Sequence, residues 1–221
     1  PAPLKISGPD NQSVTVQHVP SSKAIKYLGC QKCITNQNQQ KTVLVKKCND
    51  YARVIDSSRL SRRGTNIFYQ AIYKLSVGYP LPVSYFSYKE LDRVQQKAHS
   101  AMVSHCGFNR CTAQAILYGP CYLGGASFFH LYDLQGHGQV SLFIKFWRTP
   151  TSHSGQILQI VMHWAQFCAG TSTPILEDTA TELPHLEAAW ITSLRQYLWD
   201  IEVTIQLDVP GVPKLQHEGD T

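Results

Sequence analysis

The stretch VLVKKCNDYARVI, Val43 to Ile55, is where the period of the chain changes. Cys48, Tyr51, Ala52 and Ile55 follow Leu44 at 4, 7, 8 and 11 residues, which is one face of an α-helix. Upstream the pattern is that of short strands. LKIS and SVTVQHV flank GPDNQ, and alternating runs around such a turn predict a β-hairpin. AIKYLG reads as a third short strand, and QKCITNQNQQKT as a polar loop.

Downstream the helical period persists. A second helix is expected from about Ser61 to Ser76 with Ile67, Ala71, Ile72 and Leu75 inward, ended by the prolines of GYPLP. Ser87 and Glu90 form a capping box that opens a third helix. That helix places Leu91, Val94, Ala98, Ala101 and Met102 on one side and stops at Gly107. A short helix is expected over 113–118, and longer ones over 131–148, 154–169 and 186–199. Gly119-Pro120 and Gly124-Gly125 punctuate the loop between them, and DIEVTIQLD alternates like a strand. The fold class is therefore α+β, mostly α: a small β piece followed by a helical body.

Composition bounds the function. The chain has 221 residues, 43% of them hydrophobic, which suits one large domain or two small ones with a real core. A net charge of +5 permits a polyanionic partner but is less than the footprint of a dedicated nucleic-acid binder. No apolar run has the ~18 residues of a membrane span. The start, PAPLKISGPDNQ, lacks the pattern of a secretory leader. Both ends read as cuts in a longer polypeptide: the first residue is Pro, the only methionines are Met102 and Met162, and KLQHEGDT offers no helix stop. Seven cysteines without a secretory signal argue for a reducing compartment rather than a disulfide framework.

Few chemistries fit the residues. Cys30 and Cys33 form a C-x-x-C, and a structural zinc site needs a second pair, for which Cys106 and Cys111, or His105, are the candidates. The alternative for all four cysteines is burial as small hydrophobes. Cys33 leads into ITNQNQQ, which is no helix start of the kind a redox pair needs. There is no G-x-S-x-G and no Walker-type loop. His163 reads as a core or boundary residue, His130 and His137 have no ligand spacing, and Glu177-Asp178 reads as solvated. Gly124 and Gly125 read as a tight structural turn. Lys46 and Lys47 on the first helix, and Arg59, Arg62 and Arg63 at its junction with the second, suit phosphate contacts or a solvated face.

Several segments, in order, resemble a known family. AIKYLGC (residues 24–30) is similar to the K-Y-L-G stretch that follows the catalytic motifs of reverse transcriptases, where palm passes into thumb. DYARVIDSSRLSRRG, YPLPVSYFSYKELDRVQQKA, GFNR, YGPCYLGGASFFHLYDLQG and PHLEAAWITSLRQYL are similar to the region after the polymerase in retrotransposons without long terminal repeats. The resemblance runs from about Lys26 to the end. It implies that residues 1–35 finish the palm, 36–80 are thumb helices and 81–221 an α-rich extension.

The resemblance further implies that Lys26, Tyr27, Leu28 and Gly29 lie near a primer grip, and that Cys30 takes the place of an aliphatic residue. The partners implied are an RNA template, an RNA–DNA or DNA duplex and the upstream palm and fingers, with action in the nucleus. Polymerase chemistry needs carboxylates that hold divalent metals. This chain contains no Asp-Asp pair, so Mg2+ and the catalytic residues are expected upstream and the fragment alone is expected to be inactive. The alternatives are a zinc-stapled nucleic-acid-binding module and a structural or non-functional remnant.

Overall fold

The computed structural model describes residues 4–7, 13–16, 20–33, 35–109 and 111–207. It is α+β and mostly α. Two compact units divide the chain, Pro1–Leu44 and Val45–Thr221, with the boundary inside the first helix.

The first unit holds two antiparallel hairpins. β1 (Leu4–Ser7) pairs with β2 (Ser13–Val16) in the register Leu4↔Val16 to Ser7↔Ser13, as the sequence predicts. The GPDNQ turn between them lies outside the described residues. The third strand, β3 (Ile25–Tyr27), pairs with β4 (Cys30–Lys32), with Tyr27 opposite Cys30. Leu28 and Gly29 make the two-residue turn with φ of 46° and 83°. Positive φ at both positions is what a type I′ hairpin turn requires. Glycine adopts it freely, whereas leucine there costs about 1 kcal/mol.

The stretch read as a polar loop is shorter than expected. Gln31 and Lys32 belong to β4, and α1 (Asn38–Ser57) already begins at Asn38. The Asn36 side chain accepts from the Asn38 amide at 3.1 Å, and Gln40, buried, accepts the Gln31 amide at 2.7 Å. Glutamine is a good helix former, so a Gln-rich run does not by itself exclude helix.

In the second unit, α2 (Arg62–Phe68), a π-helical turn (Tyr69–Tyr73) and α3 (Lys74–Gly78) form one continuous rod. Its inward face is not the expected one. Ile67, Ala71, Ile72 and Leu75 are exposed, and Thr65, Tyr69, Tyr73 and Val77 are buried. The rod is apolar on two faces, and the face with two tyrosines wins because each ring buries more area than an isoleucine. The Tyr69 hydroxyl accepts from the Phe129 amide at 2.8 Å and faces its carbonyl at 3.3 Å, and Tyr73 meets the Cys48 thiol at 3.6 Å. Burial pushes the Cys48 thiol up to about 11, so it packs as a neutral hydrophobe.

The remaining helices sit close to their expected places. α4 (Tyr88–His105) carries the Ser87–Glu90 capping box and buries Leu91, Val94, Ala98, Ala101 and Met102. Gly107, at φ 86°, ends it, and the Phe108 amide returns to the Val103 carbonyl at 3.1 Å. α5 (Gln114–Tyr118), α6 (Leu131–Trp147), α7 (His153–Ala169) and α8 (Ala189–Asp200) follow. α6, α7 and α8 enclose a core that includes Phe143, Met162, Ala165, Leu194 and Leu198.

Segment 82–86 is strapped to this core by polar side chains. Gln135 bonds both the amide and the carbonyl of Phe86, Gln139 donates to the Ser84 carbonyl at 2.7 Å, and the Trp190 indole donates to the Pro82 carbonyl at 2.9 Å.

The strand expected in DIEVTIQLD does not form among the described residues. Ile205 and Leu207 pack partly buried against the helical core, which explains the alternation. The Ile205 amide donates to the Leu176 carbonyl at 3.0 Å and the Leu207 amide to Glu177 at 3.1 Å, so the segment is held without a strand partner.

A titratable cluster lies between α4 and the start of α6. His130 is buried, and its Nδ1 accepts the Tyr132 amide at 3.1 Å, capping α6. That leaves Nε2 as the protonated nitrogen, 3.5 Å from Asp92. His99 stacks on Tyr118 and meets its hydroxyl at 3.4 Å.

Burial lowers both imidazoles below their ordinary 6.5, against the opposing pull of Asp92. The unfolded chain therefore takes up protons that the folded chain refuses. The stability contributed by neutral His99 and His130 is complete above the ordinary imidazole value and is lost as pH falls from it toward the folded values. Asp133, raised by burial against the pull of His130, acts in the opposite sense and offsets part of this loss. The urea midpoint is expected to be lower at about pH 5.5 than at about pH 7.5, with most of the difference gone in His99→Gln/His130→Asn. Equal midpoints at the two pH values would refute the assignment.

Candidate nucleic-acid interface

The basic residues singled out in the sequence fall on α1 and at the α1–α2 junction, in the second unit. α1 ends at Ser57, and Ser61 caps α2, its hydroxyl accepting the Gly64 amide at 3.2 Å. Arg62 and Arg63 are therefore the first two residues of α2. Both are exposed, as are Arg59 and Lys46, and none of the four has a carboxylate partner among the described residues. The first turn of α2 contains no acidic residue. Cations at a helix N-terminus oppose the macrodipole by a few tenths of a kcal/mol each, so local stability does not account for the pair.

The arginines are not equivalent. A Cβ at Gly107 would lie 2.6 Å from Nε and Cζ of Arg62, so the guanidinium rests on bare glycine backbone just past the end of α4. Among the described glycines none meets Arg63 in this way. Lys47 is set apart, because its ammonium donates to the Ser76 carbonyl at 3.1 Å near the end of α3. Lys46 lies about 16 Å along the helix axis from the end of α1.

Three basic residues that the sequence does not place among the phosphate contacts adjoin this region. Arg53, Lys97 and His105 line a groove of about 760 Å³ between α1 and α4, with Asn49, Ser100 and Ser104. Arg53 pairs with Asp50, and His105 lies 3.7 Å from Asp56, so the groove is mixed in charge. A signal for Arg53 and Lys97 exists: Asn49, Arg53 and Asp56, and likewise Lys97, Ser100 and Ser104, recur at helical spacing along the flanks of the apolar faces.

Lys26, Tyr27, Leu28 and Gly29 all lie exposed on β3 and its turn in the first unit. Gly124 and Gly125 form a tight turn. Gly124 has φ 84°, and a Cβ on Gly125 would lie 2.1 Å from the Gly119 carbonyl oxygen. Glu177 and Asp178 do not converge: Glu177 holds the Leu207 amide, while Asp178 accepts from the amides of Ala180 and Thr181 and from the Thr181 hydroxyl.

The four cysteines of the zinc alternative belong to different units, Cys30 and Cys33 to the first, Cys106 and Cys111 to the second. Cys30 is buried behind the hairpin turn, and the Cys33 thiol lies 3.2 Å from the Ser21 carbonyl. Burial raises the Cys106 thiol, which disfavours the thiolate a metal needs. Among the described residues no group of three or more His, Cys, Asp or Glu side chains is placed to hold a metal ion. None of the described helices is long and apolar enough to cross a membrane.

No protein-family model, curated protein or solved structure matches this chain.

Proposed function

We propose that this chain is the duplex-holding, C-terminal part of an RNA-directed DNA polymerase from a retrotransposon without long terminal repeats. The observation that carries the reading is the pair Arg62–Arg63, exposed, without carboxylate partners among the described residues and set against the dipole of the helix they begin. Phosphate oxygens are natural partners for such arginines. Arg59 lies at the same junction, Lys46 adds a separate exposed cation farther back on α1, and the exposed β3 turn with Lys26 and Tyr27 supplies the primer-grip element.

In this reading the partners are an RNA template, its duplex with DNA, and the palm and fingers of the same polypeptide. The Mg2+-dependent chemistry belongs to carboxylates upstream, and this chain binds without catalysing.

Contacts of this kind are sequence-tolerant and salt-sensitive. In fluorescence anisotropy with an RNA–DNA hybrid, Arg62→Glu/Arg63→Glu is expected to weaken binding roughly tenfold near physiological salt. The slope of log K against log salt is expected to flatten by about 2, one unit per lost contact. The urea midpoint should change little, since both side chains are exposed and carboxylates at the start of α2 suit its dipole, which offsets the lost contact of Arg62 with Gly107. Unaltered affinity and slope in a folded variant would overturn the assignment.

A further inference from the structure

α7 has two apolar faces, and among the described residues only one is packed in the core. Met162 and Ala165 are buried in the helical core. The outer face carries Ile157, Ile160, Val161, Trp164 and Phe167, with Ile160, Trp164 and Phe167 at 68%, 48% and 66% exposure. Their spacing sets them in one stripe along three turns. α7 contains no Asp, Glu, Lys or Arg. From the exposed fractions and typical side-chain areas the stripe presents roughly 500 Å² of apolar surface, in the range of functional patches on soluble proteins.

The order of residues along the stripe identifies its partner. The aliphatic side chains Ile157, Ile160 and Val161 come first, and the aromatic Trp164 and Phe167 come last. A second α7 laid antiparallel about a two-fold axis at Met162 places Ile157 opposite Phe167 and Ile160 opposite Trp164. Every ring then meets an aliphatic side chain, on both sides of the axis. A parallel pairing would instead set ring against ring and leave the aliphatic half underfilled. This is the reciprocal contact an isologous dimer requires. Antiparallel helices also align their dipoles favourably, and an uncharged stripe brings no repulsion from a second copy. Two copies would bury up to about 1,000 Å², less than the ~1,200 Å² of the smallest stable interfaces and in the range of weak ones, which corresponds to a micromolar rather than a nanomolar dimer.

We propose that the chain forms a two-fold dimer through antiparallel pairing of the α7 stripe, with Ile160 of one copy against Trp164 of the other. The partner is a second copy of this chain.

The test is the mass of the 221-residue chain by sedimentation or light scattering from about 1 to about 100 µM. The expected result is a concentration-dependent doubling. Ile160→Lys and Trp164→Glu are each expected to be monomeric over this range, with unchanged far-UV circular dichroism. Mixed in equal amounts, they are expected to recover the dimer, because the antiparallel register sets the new lysine against the new glutamate. A wild-type chain that stays monomeric, a dimer that survives both substitutions, or a mixture that remains monomeric would each overturn the proposal. A monomeric wild type would assign the stripe to another polypeptide.

Discussion

Arg195→Ala is expected to destabilise the helical unit by about 4 kcal/mol, a loss at the upper end of what single substitutions cause. Arg195 points from α8 into the loop that follows α7 and is only 7% exposed. Its Nε donates to the Ile175 carbonyl at 2.7 Å, and its Nη2 to those of Asp178 and Thr181 at 2.7 and 2.9 Å. One guanidinium thus gathers three carbonyls of a loop that has no regular secondary structure. Bonds to a charged donor contribute about 1.5–3 kcal/mol each, and a buried acceptor left without a partner costs about 1–3 kcal/mol.

The fork geometry matters as much as the charge. Arg195→Lys keeps the cation but presents one ammonium to three diverging carbonyls, and should recover less than half of the loss. Urea unfolding of the three proteins measures this. A loss below about 1 kcal/mol in Arg195→Ala would mean that water takes over the three carbonyls at little cost.

Gly136→Ala is expected to destabilise by about 3 kcal/mol, although helix propensity alone predicts a gain of about 1 kcal/mol. Gly136 lies within α6, where glycine weakens the helix. A Cβ there would fall 2.1 to 2.3 Å from Cγ, Cδ2 and Cδ1 of Tyr197 on α8. Those atoms are at the root of the ring, and Tyr197 is itself buried, so no rotamer change at the far end of a side chain relieves the clash. α6 and α8 must separate or the ring must leave the core.

The sign of the effect separates the two influences. The double variant Gly136→Ala/Tyr197→Ala should be more stable than the sum of the single changes predicts, because removing the ring removes the clash. Stabilisation by Gly136→Ala alone would show that the helices move apart at little cost.

The two substitutions illustrate what a sequence conveys and what it withholds. Gly136 looks like a poor helix residue, and Arg195 like a surface cation on an amphipathic helix. Each takes its meaning from one partner element distant in the chain. The same division runs through the functional reading. Arg62 and Arg63 are legible as a basic cluster, since charge and helix-junction position are local properties. The basic groove residues Arg53, Lys97 and His105 are not legible as a group, because only the approach of α1 to α4 brings them together.

By itself, then, the sequence determined the local elements of this protein. The first hairpin, the helical period from Leu44 onward, the capping box at Ser87 and Glu90, the stop at Gly107 and the tight glycine turn at 124–125 all depend on neighbours within a few residues. Steric limits on φ and ψ and the period of apolar side chains act over that same range. Tertiary structure alone decided which face of the 62–78 rod is buried, that β3 pairs with β4, and that the 203–207 segment lies on the helical core without becoming a strand. In each of these the sequence offers two arrangements of similar local energy. The choice goes to whichever buries more surface and satisfies more backbone groups against parts of the chain far away in sequence, as Tyr69 does by bonding both the amide and the carbonyl of Phe129.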